Sequence, residues 1–133
     1  MSTTTTRVAR IGVVCIAVGD QDAMIDFYVG KLGMEKRADV PFGNGYRWVE
    51  VAPAGGETTI ALAPPPEGKP TGGVETGIGL QTHDIDAYHA ELKAAGVDVD
   101  DEVGRMGDPV PPLFWLRDPE GNTLMVVEVP ADV

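Results

Sequence analysis

Tyr46, Trp48 and Glu50 alternate along the chain with Arg47, Val49 and Val51. In an extended strand, successive side chains point to opposite faces. If Val49 and Val51 face a core, one phenol, one indole and one carboxylate share the other face. Such a face suits a flat aromatic guest: stacked rings add about 0.5–1.5 kcal/mol per pair beyond simple burial, and a carboxylate can pair with a cation or a hydroxyl. The same carboxylate gives the alternative chemistry. In an apolar pocket the Glu50 carboxyl would be raised, and it could then serve as the general base of a cofactor-independent isomerase, lyase or hydrolase-like enzyme.

The other reactive residue types are sparse. Cys15 is the single cysteine, so it can form no internal disulfide, and it reads as small buried filler. The two histidines, His83 and His89, are six positions apart and so do not share a helix face as an i, i+4 pair would. His83 reads as a residue at a helix entrance and His89 as a solvated helix position. Gly43-Asn44-Gly45 is too short for a phosphate loop, which needs a longer glycine-rich turn followed by Lys and a helix. Ten Lys and Arg against 21 Asp and Glu give a formal charge of −11, the wrong sign for nucleic acid or an anionic membrane. The charges are scattered, which suits solubility, and the field they create favours cationic over anionic guests. No apolar run approaches the roughly 20 residues of a membrane span, and Met1 to Arg10 lacks the apolar stretch of a signal peptide, so a cytoplasmic protein is expected.

The elements that must position these residues emerge from an internal repeat. Asp20-Gln21-Asp22-Ala23 and Asp84-Ile85-Asp86-Ala87 share the pattern D-x-D-A, each after a strand-like segment and each opening a helix. In the first helix Met24, Phe27, Tyr28 and Leu32 form an apolar stripe, Asp20 is the N-cap and Gly33 the terminator. In the second, Ile85, Tyr88, Leu92 and Ala95 form the stripe, with Asp84 as cap and Gly96 as terminator. Strands are expected at Ile11–Val18 and Thr76–Thr82 before the helices. After them come Tyr46–Ala52 with Thr58–Ala63, joined through Pro53–Gly56, and Leu113–Arg117 with Thr123–Val129, joined through Asp118-Pro119-Glu120-Gly121-Asn122. Weaker strands follow each helix, at Glu35–Val40 and Val97–Asp101. Pro64 to Gly73 is rich in Pro and Gly and reads as a linker. The length of 133 residues suits one domain. That gives an α+β fold of two βαβββ modules, the first at about residues 8–64 and the second at about 74–130.

These residues resemble the vicinal oxygen chelate superfamily of glyoxalase I, bleomycin-resistance proteins, fosfomycin-resistance enzymes and extradiol dioxygenases. The resemblance rests on Val18-Gly19-Asp20 leading into Phe27-Tyr28 and Leu32-Gly33-Met34, and on the Asp118–Asn122 turn leading into the last strand. It implies two curled mixed sheets around a cavity, often completed across a dimer. The family's enzymes hold a divalent metal with His and Glu at four strand positions, which fall here on Val13, Ala61, Gly77 and Met125. None of these is a donor such an ion requires, so the resemblance implies neither metal nor other cofactor and disfavours the metal-assisted reactions.

Counting in twos from the same positions places Cys15, Ala17, Thr123 and Val127 on the cavity face, with Leu113, Trp115 and Arg117 from the family pattern. Gly104–Pro112 and Pro41–Gly45 are candidate lids, with Met106 and Phe42 as apolar tips. The expected binding residues are therefore Phe42, Tyr46, Trp48, Glu50, Ala61, Gly77, Met106, Leu113, Trp115 and Met125. The function expected is metal-free binding and sequestration of an aromatic, antibiotic-like compound by a homodimer, with domain-swapped and intrachain module pairing both open. A regulatory or scaffold domain whose cavity is filled by its own side chains is the third possibility.

Overall fold

The computed structural model describes residues 6–43 and 45–133, so the segment 1–5, within the Met1–Arg10 stretch read above, lies outside the described residues. These residues form two four-stranded sheets. In the first, β1 (Val13–Ala17), β2 (Glu35–Gly43), β3 (Tyr46–Ala52) and β4 (Thr59–Ala63) run in the order β1-β4-β3-β2. In the second, β5 (Glu75–Thr82), β6 (Asp98–Val99), β7 (Leu113–Arg117) and β8 (Thr123–Glu128) repeat that order as β5-β8-β7-β6. Each sheet pairs its first strand with its last in parallel and closes with antiparallel hairpins, so the repeat read from D-x-D-A is a repeat of topology. β1 and β5 are left as edge strands. Residues 64–73 carry neither helix nor strand.

The helices follow the same plan with one difference. The Asp20 and Asp84 side chains accept from the backbone N–H of Ala23 and Ala87 at 3.0 and 3.1 Å, satisfying a donor that each helix start would leave unpaired. The second helix, α2 (Ile85–Ala94), ends in a Schellman motif. Val97 N–H donates to Leu92 O and Gly96 N–H to Lys93 O, with Gly96 at φ 79°. The first, α1 (Gln21–Ile25), widens into a π-helical turn over Asp26–Lys31. Gly33 lies 13 positions after Asp20, whereas Gly96 lies 12 after Asp84. The extra residue is absorbed as the π turn, and the bonds closing the helix each span one residue more, from Gly33 N–H to Val29 O and from Met34 N–H to Tyr28 O.

The core lies where the helices cover the sheets. Ile16, Val18, Val49, Val51, Ile60 and Leu62 from one sheet, Phe114, Leu116, Leu124 and Val126 from the other, and Met24, Phe27, Tyr28, Ile85 and Leu92 from the helices form one continuous cluster across both modules. Two polar contacts reinforce that junction. The Tyr28 hydroxyl donates to Asp118 Oδ2 at 2.8 Å, and the Tyr88 hydroxyl to Leu32 O at 2.8 Å. Burial, then the Asp118 charge, pushes the Tyr28 phenol far above its ordinary range, and burial with nearby Glu91 pushes Tyr88 up to about 12. Asp118 also accepts from the backbone of Glu120 and Asn122 and from the Asn122 amide, so its burial leaves no acceptor unpaired.

Several expectations are corrected. His89 is buried, its ring edge-on to Phe114 at 4.9 Å and its Nε2 2.7 Å from Asp100 O, because it sits four residues after Ile85 and three before Leu92 on the stripe. Ala95, expected in that stripe, is exposed. Cys15 is exposed, not buried, since the sheet face it occupies has no helix over it. Pro41 to Gly43 belongs to β2, so the supposed lid is the tip of the β2–β3 hairpin, and Asn44 lies outside the described residues. No helix of the described residues is long and apolar enough to cross a membrane.

Candidate functional site

Burial alternates along β3, β7 and β8 and separates a helical face from a concave one, whereas β4 is buried from Thr59 to Leu62. In β3, Val49 and Val51 are fully buried, while Tyr46 is exposed and Trp48 and Glu50 are half-buried. In β7, Phe114 and Leu116 are buried and Leu113, Trp115 and Arg117 half-buried; in β8, Leu124 and Val126 are buried and Thr123, Met125 and Val127 half-buried. The parity expected from the sequence therefore holds for β3, β7 and β8.

Register places neighbours on that face. In the first sheet Cys15, Ala61, Glu50 and Ala38 lie side by side across β1, β4, β3 and β2, and Trp48 is opposite Val40. In the second, Gly79, Met125 and Trp115 lie side by side across β5, β8 and β7. Thr59, opposite Val13 on β4, is buried and donates from its hydroxyl to Glu50 Oε1 at 2.7 Å. The Trp48 indole N–H donates to Glu50 Oε2 at 2.6 Å. These two donors, Thr59 foremost, hold the Glu50 carboxyl below its usual range despite some desolvation, which corrects the raised carboxyl that a general base would need.

The Trp115 end is organised by Asp100. Its Oδ2 accepts from Trp115 N–H at 2.9 Å and its Oδ1 from Arg117 Nη1 at 3.0 Å. Arg117 also faces Asp98 at 3.7 Å. By register Glu75 shares the face through Thr123, so Glu50, Glu75, Asp98 and Asp100 stand against the single cation Arg117 among these side chains.

The remaining expected residues are placed unevenly. Phe42 and Tyr46 stack at 6.1 Å with rings 28° apart, and are 55% and 48% exposed. Met106 is 65% exposed in the loop before β7. Gly77, at φ 73°, has open space where a side chain would stand. Ala61 lies on the concave face but has no exposed surface of its own. Of the four positions that the resemblance matches to metal-holding ones, Val13 and Ala61 are aliphatic, Gly77 has no side chain and Met125 offers only a thioether. The residues present do not fit a divalent ion. Among the described residues no group of three or more His, Cys, Asp or Glu is placed to hold one.

Two clefts open elsewhere. One of about 720 Å³ lies on the helical side between the modules, lined by Val14, Leu32, Met34, Ile60, Leu80 and Tyr88 among others. One of about 340 Å³ lies beside Gln21, Tyr46 and Arg47. Neither of these two clefts is lined by Trp48, Trp115 or Met125, though Gly79 borders the first and Tyr46 the second. Thr59, which bonds the carboxylate that holds the Trp48 indole, and Asp100, which accepts from the Trp115 backbone N–H, were not legible as site residues by type. Thr59 was legible from its parity with Ala61; Asp100 lies beyond the two-residue β6, where alternation gives little signal.

Comparison with known proteins agrees with this architecture. The family described as Glyoxalase/Bleomycin resistance protein/Dioxygenase superfamily matches residues 10–126. YetH of Bacillus subtilis (strain 168), an uncharacterized protein, is 30% identical over 121 residues, which is 91% of this chain and 99% of its own. TnmS3, an antibiotic binding protein from Streptomyces sp. CB03234, is 32% identical with a TM-score of 0.80, over 93% of this chain and 98% of TnmS3. A superfamily member from Sphaerobacter thermophilus DSM 20745 is 35% identical with a TM-score of 0.83, over 92% of this chain and 98% of that one. The chain belongs to the glyoxalase/bleomycin resistance protein/dioxygenase superfamily.

Proposed function

We propose that this protein binds a small planar aromatic, antibiotic-like compound on its concave sheet faces, without a metal or other cofactor, and acts by sequestering it. The observation that carries this reading is the Trp48–Glu50–Thr59 arrangement: an indole on the concave face, fixed through a carboxylate to a buried hydroxyl. Tyr46 and Phe42 extend the aromatic surface on one module, and Trp115, Leu113 and Met125 supply a second apolar wall on the other. Gly79, opposite Met125, and Gly77, with open space at its Cβ, leave room on β5, and Met106 is an exposed apolar side chain on the loop before β7. Two or three stacking contacts of this kind add about 1–4.5 kcal/mol to the burial of the guest's apolar surface, toward the roughly 8 kcal/mol of micromolar binding. The likeness to an antibiotic binding protein supports the same reading. The excess of carboxylates over cations on this face, with the overall charge of −11, favours a cationic guest.

The binding unit is a homodimer in this reading. β1 and β5 keep a free edge, and the apolar Val13 and Val40 on the open face are 44% and 53% exposed, as suits surfaces that a second copy covers. A cytoplasmic location belongs to the same reading. An enzyme using Glu50 as base is the weaker reading, because both its oxygens already accept hydrogen bonds and its carboxyl is held low.

Native mass spectrometry of the purified protein with a panel of planar aromatic antibiotics tests the proposal. The expected result is a metal-free dimer carrying one or more compounds recovered unchanged. A stoichiometric divalent ion, or a chemically altered compound, overturns it.

A further inference from the structure

We infer that Glu50 is a positioning residue: with Thr59 it holds the Trp48 indole in one orientation over the concave face, so that the stacking platform exists before a guest arrives. The inference rests on the binding reading above and assigns Glu50 a role within it.

The geometry is that of a relay. Trp48 and Glu50 are two residues apart on one strand and point to the same side. The indole N–H reaches one carboxylate oxygen at 2.6 Å and the Thr59 hydroxyl reaches the other at 2.7 Å. Thr59 stands on β4 opposite Val13 of β1, its N–H donates to Gly12 O at 3.0 Å, and the residue is buried. Bonds to a carboxylate are roughly twice as strong as those between neutral groups, and a tryptophan ring has only two side-chain torsions to fix. A half-buried indole tied at its single polar atom therefore cannot flip without breaking a charge-assisted bond. Glu50 in turn, with each oxygen accepting a hydrogen bond, is a weaker acceptor for a substrate proton than a free carboxylate. A guest stacking on a platform already ordered avoids the loss of side-chain freedom that binding otherwise entails, an advantage of about 3- to 10-fold in affinity.

The test separates this role from the binding reading. In Trp115→Phe protein, Trp48 is the remaining tryptophan, and its time-resolved fluorescence anisotropy reports ring motion with no guest present. The expected result is slow tumbling with the whole protein, a fast local component on adding Glu50→Gln or Thr59→Val, and return to rigidity with Thr59→Ser, which restores the hydroxyl. Circular dichroism confirms the fold of each variant, and Thr59→Val carries the test should Glu50→Gln fail to fold. In protein retaining Trp115, the same Thr59→Val change weakens binding of proflavine, a planar cation, by about 3- to 10-fold. Equal rigidity of Trp48 in all variants overturns the inference. Rigidity lost on cue, with no aromatic compound bound by any form, would leave the positioning role standing and remove the binding reading.

Discussion

Tyr28 and Asp118, 90 positions apart, meet in the core through a 2.8 Å hydrogen bond that ties the π-widened helix of one module to the β7–β8 turn of the other. Tyr28 is fully buried and Asp118 nearly so. Tyr28→Phe keeps the ring and removes one of several donors to Asp118, so it should cost about 1–3 kcal/mol in urea unfolding with an unchanged m-value. A change below about 0.5 kcal/mol would show that the junction depends on apolar packing alone.

Glu120 gives a second junction of a different kind. Its carboxylate accepts from Gly19 N–H and Asp20 N–H at 2.9 Å, at the start of α1, while its own carbonyl accepts from Gly73 N–H. The side-chain contacts are solvent-exposed, so Glu120→Ala should cost about 1 kcal/mol, less than Tyr28→Phe, and show as a modest drop in thermal midpoint.

His89 is predicted to behave as a core residue. Removing its ring exposes the Asp100 carbonyl and leaves a gap against Phe114, so His89→Ala should destabilise by about 2–3 kcal/mol in denaturant titration. A surface-like change of a few tenths of a kcal/mol would contradict the packing described here.

The pH dependence of Glu50 follows from the direction of its shift. Its folded carboxyl lies below the ordinary value, so the stability it contributes is fully present above the unfolded carboxylate pKa, near 4.3, and is lost as pH falls through the lower folded value. Trp48 emission in Trp115→Phe protein should thus stay constant from pH 8 to about 5 and change only in the acid range. A transition between pH 5 and 7 that disappears in Glu50→Gln would mark a raised carboxyl and restore the general-base reading.

Much of this was legible in the sequence because period two and period 3.6 carry the burial pattern. Val49 and Val51 fixed the face of Trp48, and the D-x-D-A repeat located both helix caps. The failures have physical causes. His89 and Cys15 were judged by residue type, polar outside and small inside, whereas strand and helix faces decided their burial. The π turn was encoded as one extra residue between Asp20 and Gly33, a difference visible only when the halves are compared. The hydrogen bonds that set the Glu50 carboxyl join β3 to β4, a side-chain pairing that neither strand's pattern contains.

The most direct measurement is a fluorescence and calorimetric titration of the intact protein with planar aromatic antibiotics, repeated with Trp48→Ala and Trp115→Ala. Micromolar dissociation constants are expected for the intact protein, with a loss of about 10-fold or more in each variant and the fold retained by circular dichroism. Binding of equal strength in all three proteins would place the site elsewhere, in the cleft between the modules, and contradict the concave-face assignment.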